Sequence, residues 1–250
     1  MITIVIPARL ESTRLERKAL AQIGDYPMLW WTWQKAKQSK YAQKIVIATD
    51  SKEIFDTMTG YGAECIMTSS DCQSGSDRVF QAIQQIPSAE IIVNLQGDEP
   101  LMQLEMLDGT IQTFIEKQIP SRFLGMSSDL GQYKGLIATA VTPFHSPADY
   151  ENPNNVKCVF NAEGKALYFS RATLADPWLH LGLYVFQRQA LESFCSAQPS
   201  LLEKAEKLEQ LRAFELDIPI FVYKAESVNK DHFGVDTVED LERARKILLS

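Results

Sequence analysis

Met1-Ile2-Thr3-Ile4-Val5-Ile6-Pro7-Ala8-Arg9-Leu10-Glu11-Ser12-Thr13-Arg14-Leu15-Glu16-Arg17-Lys18-Ala19-Leu20 opens the chain. Ile2 to Ile6 is an almost unbroken apolar, β-branched run, the pattern of a strand buried on both faces because helices cover its sheet. The segment after it holds four cations, Arg9, Arg14, Arg17 and Lys18, within ten residues. A basic connection directly after a buried strand lies where an open α/β sheet receives ligands, at the carboxyl ends of its strands. Phosphate suits such a loop, since Arg9, Arg14 and Lys18 offer a polyphosphate several charge-assisted donors from one segment. The bland alternative is a solvated basic loop. The chain has neither a Walker A pattern nor a GxGxxG, which excludes the two commonest glycine-rich nucleotide loops.

Outward from this stretch the same alternation continues. Lys44 to Ala48, Glu64 to Met67 and Ile91 to Leu95 read as further strands, and Met28 to Ser39, Lys52 to Gly60 and Asp77 to Ile86 have helical spacing of apolar residues. Strand-helix alternation predicts a mostly parallel sheet with helices on both faces. A helix is expected from about Glu105 to Lys117, with a polar, glycine-containing loop from Ser127 to Gly135 beyond it. Further on, Ile137 to Val141, Val156 to Phe160, Leu181 to Phe186 and Ile220 to Ala225 read as strands, and Gln187 to Ser196 and Leu202 to Glu215 as helices. Asp236 or Thr237 caps a closing helix that runs through Ile247.

The 250 residues, 45% hydrophobic and 23% charged, have the balance of a globular protein. A net charge of −7 argues against a nucleic-acid binder, because a phosphate backbone is held mainly by clustered Lys and Arg. No run of about 18 apolar residues occurs, so no membrane span is expected. The N-terminal apolar run is too short for a signal peptide and has no basic segment before it, which points to the cytoplasm. Cys65, Cys72, Cys158 and Cys195 lack the close spacing of zinc or redox motifs.

The fourth strand ends in Asn94-Leu95-Gln96-Gly97-Asp98-Glu99-Pro100. An acid at the carboxyl end of a central strand can reach into the cleft and hold a hard cation, so Asp98 is the first candidate metal ligand. A turn aspartate bonding its own backbone is the alternative. Taken in order, Pro7-Ala8-Arg9, Ser12-Thr13-Arg14-Leu15, Lys18, Ser74-Gly75-Ser76-Asp77-Arg78, Gln96-Gly97-Asp98-Glu99-Pro100, Ala166-Leu167-Tyr168-Phe169-Ser170-Arg171, His180-Leu181-Gly182-Leu183-Tyr184, Leu208-Glu209-Gln210-Leu211-Arg212 and Val235-Asp236-Thr237 resemble the CMP-KDO synthetase family, the 3-deoxy-manno-octulosonate cytidylyltransferases. The likeness runs over nearly the whole chain.

That resemblance implies a Rossmann-like nucleotidyltransferase fold, with a smaller mixed region used in dimerisation and sugar binding. It divides a single domain into a nucleotide-binding part over 1–125, a sugar-binding and dimerisation part over 136–235, and a closing helix over 236–250. It further implies a homodimer, CTP and an acidic sugar as substrates, Mg2+ as cofactor, and a role in making activated KDO for lipopolysaccharide. Carried over by position, Arg9, Ser12, Arg14, Lys18, Ser74, Gly75, Arg78, Gln96 and Asp98 bind the nucleotide, and Asp98 and Asp236 hold magnesium. Arg14, Lys18, Asp98 and Asp236 form the catalytic set. Gln96, Arg171, His180, Tyr184, Glu209 and Gln210 bind the sugar, with Arg171 the cation for its carboxylate. On residues alone, the bland reading makes His180 a satisfied structural histidine and Tyr168 and Tyr184 core aromatics.

The family pattern is broken in one important place, where Leu15-Glu16-Arg17-Lys18-Ala19-Leu20 replaces Leu-Pro-Gly-Lys-Pro-Leu, and the segment from Arg171 to His180 is also short. The replacement alters the loop's backbone freedom and puts Glu16 near the expected polyanion site, with Arg17 as the charge that would offset it. Three readings stay open: KDO activation, activation of another acid such as an amino-KDO, a nonulosonic acid or a phosphonate, or a weakened relative that binds nucleotide.

Overall fold

The strands form where the β-branched runs stand, and their pairing shows which of them are buried on both faces. In the computed structural model, residues 1–12, 14–123, 134–226 and 233–250 are described. They fall into two compact units, Met1–Leu107 with Asn229–Ser250, and Asp108–Val228.

In the first unit β1 (Ile2–Ala8) is buried from Thr3 onward. A short hairpin of β2 (Gln22–Ile23) and β3 (Tyr26–Pro27) turns at Gly24, whose φ of 61° is glycine's territory. Then come α1 (Met28–Lys37), β4 (Lys44–Thr49), α2 (Lys52–Gly60), β5 (Cys65–Met67), α3 (Gly75–Ile83) and β6 (Ile91–Asn94). Strands β6, β1, β4 and β5 lie in that order and pair in parallel, with Ile4 opposite both Ile45 and Val93. All the strands read from the first hundred residues form, within one or two residues of their expected ends. The third helix starts at Gly75 rather than Asp77. Ser74 and Asp77 form a reciprocal capping box, so the helix begins two residues earlier than its apolar spacing shows.

Helix α4 (Leu104–Phe123) runs past the expected Lys117. The loop read from Ser127 to Gly135 lies, up to residue 133, outside the described residues. The second unit continues with β7 (Ile137–Thr142), α5 (Pro147–Glu151), β8 (Lys157–Phe160), β9 (Ala166–Ser170), β10 (Trp178–Gln187), α6 (Arg188–Ser196), α7 (Leu201–Glu206), α8 (Arg212–Glu215) and β11 (Ile220–Lys224). Here β7 pairs in parallel with β11 and antiparallel with β10, and β8 pairs antiparallel with both β10 and β9. A parallel sheet and a smaller mixed region are therefore both present. Strand β9 and helix α5 form where the sequence reading assigned no element.

The single helix expected over Leu202–Glu215 is broken. Lys207 turns left-handed (φ 56°) after α7, and a 3-10 turn over Glu209–Leu211 separates it from α8. The break lets Arg212 fold back onto Glu203, with Nε to Oε2 at 2.7 Å and Nη2 to Oε1 at 2.6 Å. Helix α9 (Val238–Leu248) returns to the first unit, where Leu241 and Ala244 pack with Ile23, Met28, Leu101 and Val235. Thr237, not Asp236, caps it through a capping box with Asp240. That leaves the Asp236 side chain available for another task.

Candidate active site

A cavity of about 280 Å3 opens at the carboxyl ends of β1 and β6 in the first unit. Arg9, Ser12 and Arg14 line it from the connection after β1, and Lys18 from the turn that starts Lys18–Leu20. Ser74, Gly75 and Arg78 line it from the start of α3, Gln96 and Asp98 from the segment after β6, and Asp236 from the approach to α9. All the residues expected to bind nucleotide or metal thus border one cavity. The walls are fitted closely. A Cβ on Gly97 would stand 2.9 Å from the Pro7 carbonyl, and one on Gly75 3.3 Å from Gln96 Oε1. Gln96 itself donates to Asn94 Oδ1 at 2.9 Å.

The electrostatics centre on Lys18. Its Nζ donates to Asp98 Oδ2 at 2.5 Å and to Asp236 Oδ1 at 2.8 Å, and Arg14 Nη2 lies 2.9 Å from the same Asp236 oxygen. Burial works to lower the Lys18 ammonium, but the two carboxylates outweigh it and hold its pKa above the usual lysine value. Next to Asp98, burial pushes Glu99 up to about 8, helped by the charges of Asp98 and Asp236 and opposed by Lys18. Asp98 and Asp236 therefore converge on a single cation. No group of three or more His, Cys, Asp or Glu positioned for a metal occurs among the described residues. A pair of carboxylates fits Mg2+, which commonly takes one or two protein carboxylates and fills its octahedron with waters and substrate phosphates.

Arg78 is tethered before any ligand arrives. Its buried guanidinium donates from Nη1 to Thr68 Oγ1 at 2.6 Å and from Nη2 to Asp50 Oδ2 at 2.9 Å. The sequence reading missed Asp50 and Thr68, because only the packing of α3 against the sheet brings them to Arg78. Glu16 and Arg17, expected near the polyanion site, border a neighbouring pocket together with Arg9 and Ser12. Neither lines the cavity, and Arg17 is paired with Glu53 of α2 rather than offsetting Glu16 beside a polyanion. Arg17 stands at φ 53°, so it keeps the left-handed backbone that a glycine would take there.

In the second unit β10 bulges between Leu181 and Tyr184. Thr139 of β7 fills the bulge, with Oγ1 2.8 Å from the Leu183 carbonyl and 3.0 Å from His180 Nε2. The hydroxyl has one proton. With that proton given to Leu183, His180 donates from Nε2 and keeps Nδ1 as an acceptor. Burial holds the imidazole well below its usual pKa, so it is neutral at pH 7. The bulge sets the His180 and Tyr184 rings 5.5 Å apart. Burial raises the Tyr184 phenol, and the charge of Glu209 adds to the shift. His180, Tyr184 and Glu209 are thus neighbours. Gln210 is buried in the same 3-10 turn as Glu209.

Arg171 comes directly after β9, with Nη1 3.2 Å from the Pro153 carbonyl. The motif around it also serves the fold, since Tyr168 Oη, Ser170 Oγ and Arg171 N all donate to the Glu206 carboxylate.

The family model described as Cytidylyltransferase matches residues 3–224. A 3-deoxy-manno-octulosonate cytidylyltransferase of Pelodictyon phaeoclathratiforme is 39% identical over 259 residues, spanning 99% of this chain and 97% of its own. The enzyme so named in Acidobacterium capsulatum is 40% identical over 254 residues, spanning 98% and 95%. Among solved structures, a CMP:2-keto-3-deoxy-manno-octonic acid synthetase complexed with CTP superposes with a TM-score of 0.87 at 30% identity, covering 99% of this chain and 98% of that one. A cytidylyltransferase from Leptospira borgpetersenii, at TM-score 0.64 and 19% identity, covers 99% of this chain and 86% of that one and shares the fold. With its length matched almost end to end and its cation-ringed cavity at the carboxyl ends of a parallel sheet, the chain belongs to the 3-deoxy-manno-octulosonate cytidylyltransferase family of cytidylyltransferases.

Proposed function

We propose that this protein transfers CMP from CTP to KDO, releasing pyrophosphate and forming CMP-KDO for lipopolysaccharide biosynthesis. The observation that carries the reading is the convergence of Arg9, Arg14, Lys18, Asp98 and Asp236 on one cavity in a chain 39% identical to enzymes of that name. The anomeric oxygen of the sugar attacks the α-phosphorus, its bond to phosphorus forms as the bond to pyrophosphate breaks, and the hydroxyl proton passes to solvent water. Arg9, Arg14 and Lys18 bind the triphosphate and stabilise charge on the departing pyrophosphate. The carboxylates of Asp98 and Asp236 are the residues that would hold Mg2+, which when bound polarises the phosphoryl oxygens. Arg78, tethered by Asp50 and Thr68, forms a rigid wall for the nucleotide. On the sugar side Arg171 takes the carboxylate, and His180, Tyr184, Glu209 and Gln210 take the hydroxyls. The working form is a cytoplasmic homodimer. No helix among the described residues is long and apolar enough to cross a membrane.

The test is pyrophosphate release from CTP with a panel of KDO, amino-KDO, a nonulosonic acid and a phosphonate. KDO is expected to lead the panel and CTP to exceed ATP and GTP. Asp98→Asn and Asp236→Asn are each expected to lower turnover about a hundredfold or more while leaving the melting temperature in place. A different preferred acid, or wild-type rates in both variants at saturating Mg2+, overturns the reading.

A further inference from the structure

Lys157 is a fully buried cation. It stands at the start of β8, 0% exposed, opposite Ser170 of β9 and Leu179 of β10, and forms no ion pair among the described residues. An ionised lysine so placed is costly unless every proton is taken up. Here all three are. Nζ donates to the main-chain carbonyls of Asn152 at 2.8 Å, Asn155 at 2.9 Å and Arg171 at 3.2 Å. A neutral amine would turn its lone pair toward one of these oxygens, so the geometry is that of an ammonium. Burial and the nearby charge of Arg171 lower its pKa from the usual lysine value.

The turn from Asn152 to Asn155 has its carbonyls divided between two cations. Its outer pair, from Asn152 and Asn155, faces Lys157, while the carbonyls between them, from Pro153 and Asn154, lie 3.2 and 3.5 Å from Arg171 Nη1. Lys157 also grips the Arg171 main chain, so it ties both ends of the Arg171 side chain's support together. The turn has bonds of its own, Asn154 N to Asn152 Oδ1 and Asn155 Nδ2 to the Asp149 carbonyl, which set its local shape. Those bonds do not reach Arg171. With Nη1 held by the turn, the Nε–Nη2 edge of Arg171 has no hydrogen-bond partner among the described residues and is the edge that accepts a carboxylate in bidentate fashion.

We propose that Lys157 is a positioning residue for the acidic acceptor: it locks the 152–155 turn to the main chain of Arg171 so that the Nε–Nη2 edge stays presented to the sugar carboxylate. This rests on the reading of Arg171 as the carboxylate's partner. Lys157→Met keeps the length of the side chain and removes all three donors, and Lys157→Gln keeps two N–H donors for use where the methionine variant does not fold. The measurement is KM for KDO and for CTP in each variant, in Arg171→Ala, and in the double variant. Lys157→Met is expected to raise KM for KDO about tenfold or more, on the scale of other groups that orient a ligand-binding residue, with KM for CTP moving less than about twofold. Lys157→Gln should show a smaller rise. In the Arg171→Ala background, Lys157→Met should add nothing further, because the two act through one contact. An unchanged KM for KDO in Lys157→Met and Lys157→Gln, beside a raised one in Arg171→Ala, overturns the role of Lys157 and leaves that of Arg171 standing. Full additivity in the double variant also overturns it. An unchanged KM for KDO in Arg171→Ala removes the carboxylate reading itself, and the proposal with it.

Discussion

Arg17 shows how one residue can differ from a family pattern without disturbing the site beside it. Its left-handed backbone costs an L-residue roughly 1 kcal/mol that glycine does not lose, and its exposed pair with Glu53 returns no more than about that amount. The two terms nearly cancel. Arg17→Gly is therefore expected to leave the melting temperature within a few degrees of the parent and the CTP affinity unchanged, as thermal melts and calorimetry would read. A severalfold change in CTP affinity would mean that Arg17 acts on the cavity after all. Local sequence could not place this side chain, because Glu53 is 36 residues away and meets Arg17 only once α2 has packed.

At the scale of an element, the break between α7 and α8 depends on one buried pair. Glu203 accepts from Arg212 through both oxygens while also accepting from the Ser200 N–H of its own capping box, and Arg212 Nη1 donates to the Phe194 carbonyl of α6. Three helices are thereby fastened at one guanidinium. Removing the acid alone leaves a buried charge, so Glu203→Ala is expected to lower the unfolding free energy by about 3–5 kcal/mol in urea titrations. Glu203→Leu with Arg212→Met should recover much of that loss. If the double variant is no better than Glu203→Ala, the capping box rather than the ion pair carries the stability. A helical reading of Leu202–Glu215 missed all of this, since the apolar spacing continues through Lys207 although the backbone there reverses.

For the molecule as a whole, His180 gives the acid limb of stability a definite sign. Burial lowers its pKa from 6.5 to about 3, so the fold favours the neutral ring. The unfolded chain takes up a proton below pH 6.5 that the folded chain refuses. Its contribution is fully present above pH 6.5 and is lost as the pH falls from 6.5 toward 3. His180 as a whole residue is only partly buried, and nearby water tempers the effect. Urea midpoints at pH 7.5 and 5.0 should accordingly fall less in His180→Asn than in the parent, and parallel falls would show that His180 does not set this limb. The alternation of buried strands and amphipathic helices, the placement of Arg9 to Lys18 after β1 and of Asp98 after β6, and the family itself were all legible in the sequence. Periodicity and motif order are properties of neighbouring residues, and both survive any choice of packing. The pairing of Arg78 with Asp50, the sharing of Lys18 between Asp98 and Asp236, the bulge that sets His180 against Tyr184, and the tripod of carbonyls around Lys157 were decided by the tertiary structure alone. The first two join groups far apart in sequence, and the bulge and the tripod depend on strand pairing with β7 and β9 that no local pattern shows, through contacts that form only once burial has removed the competing water.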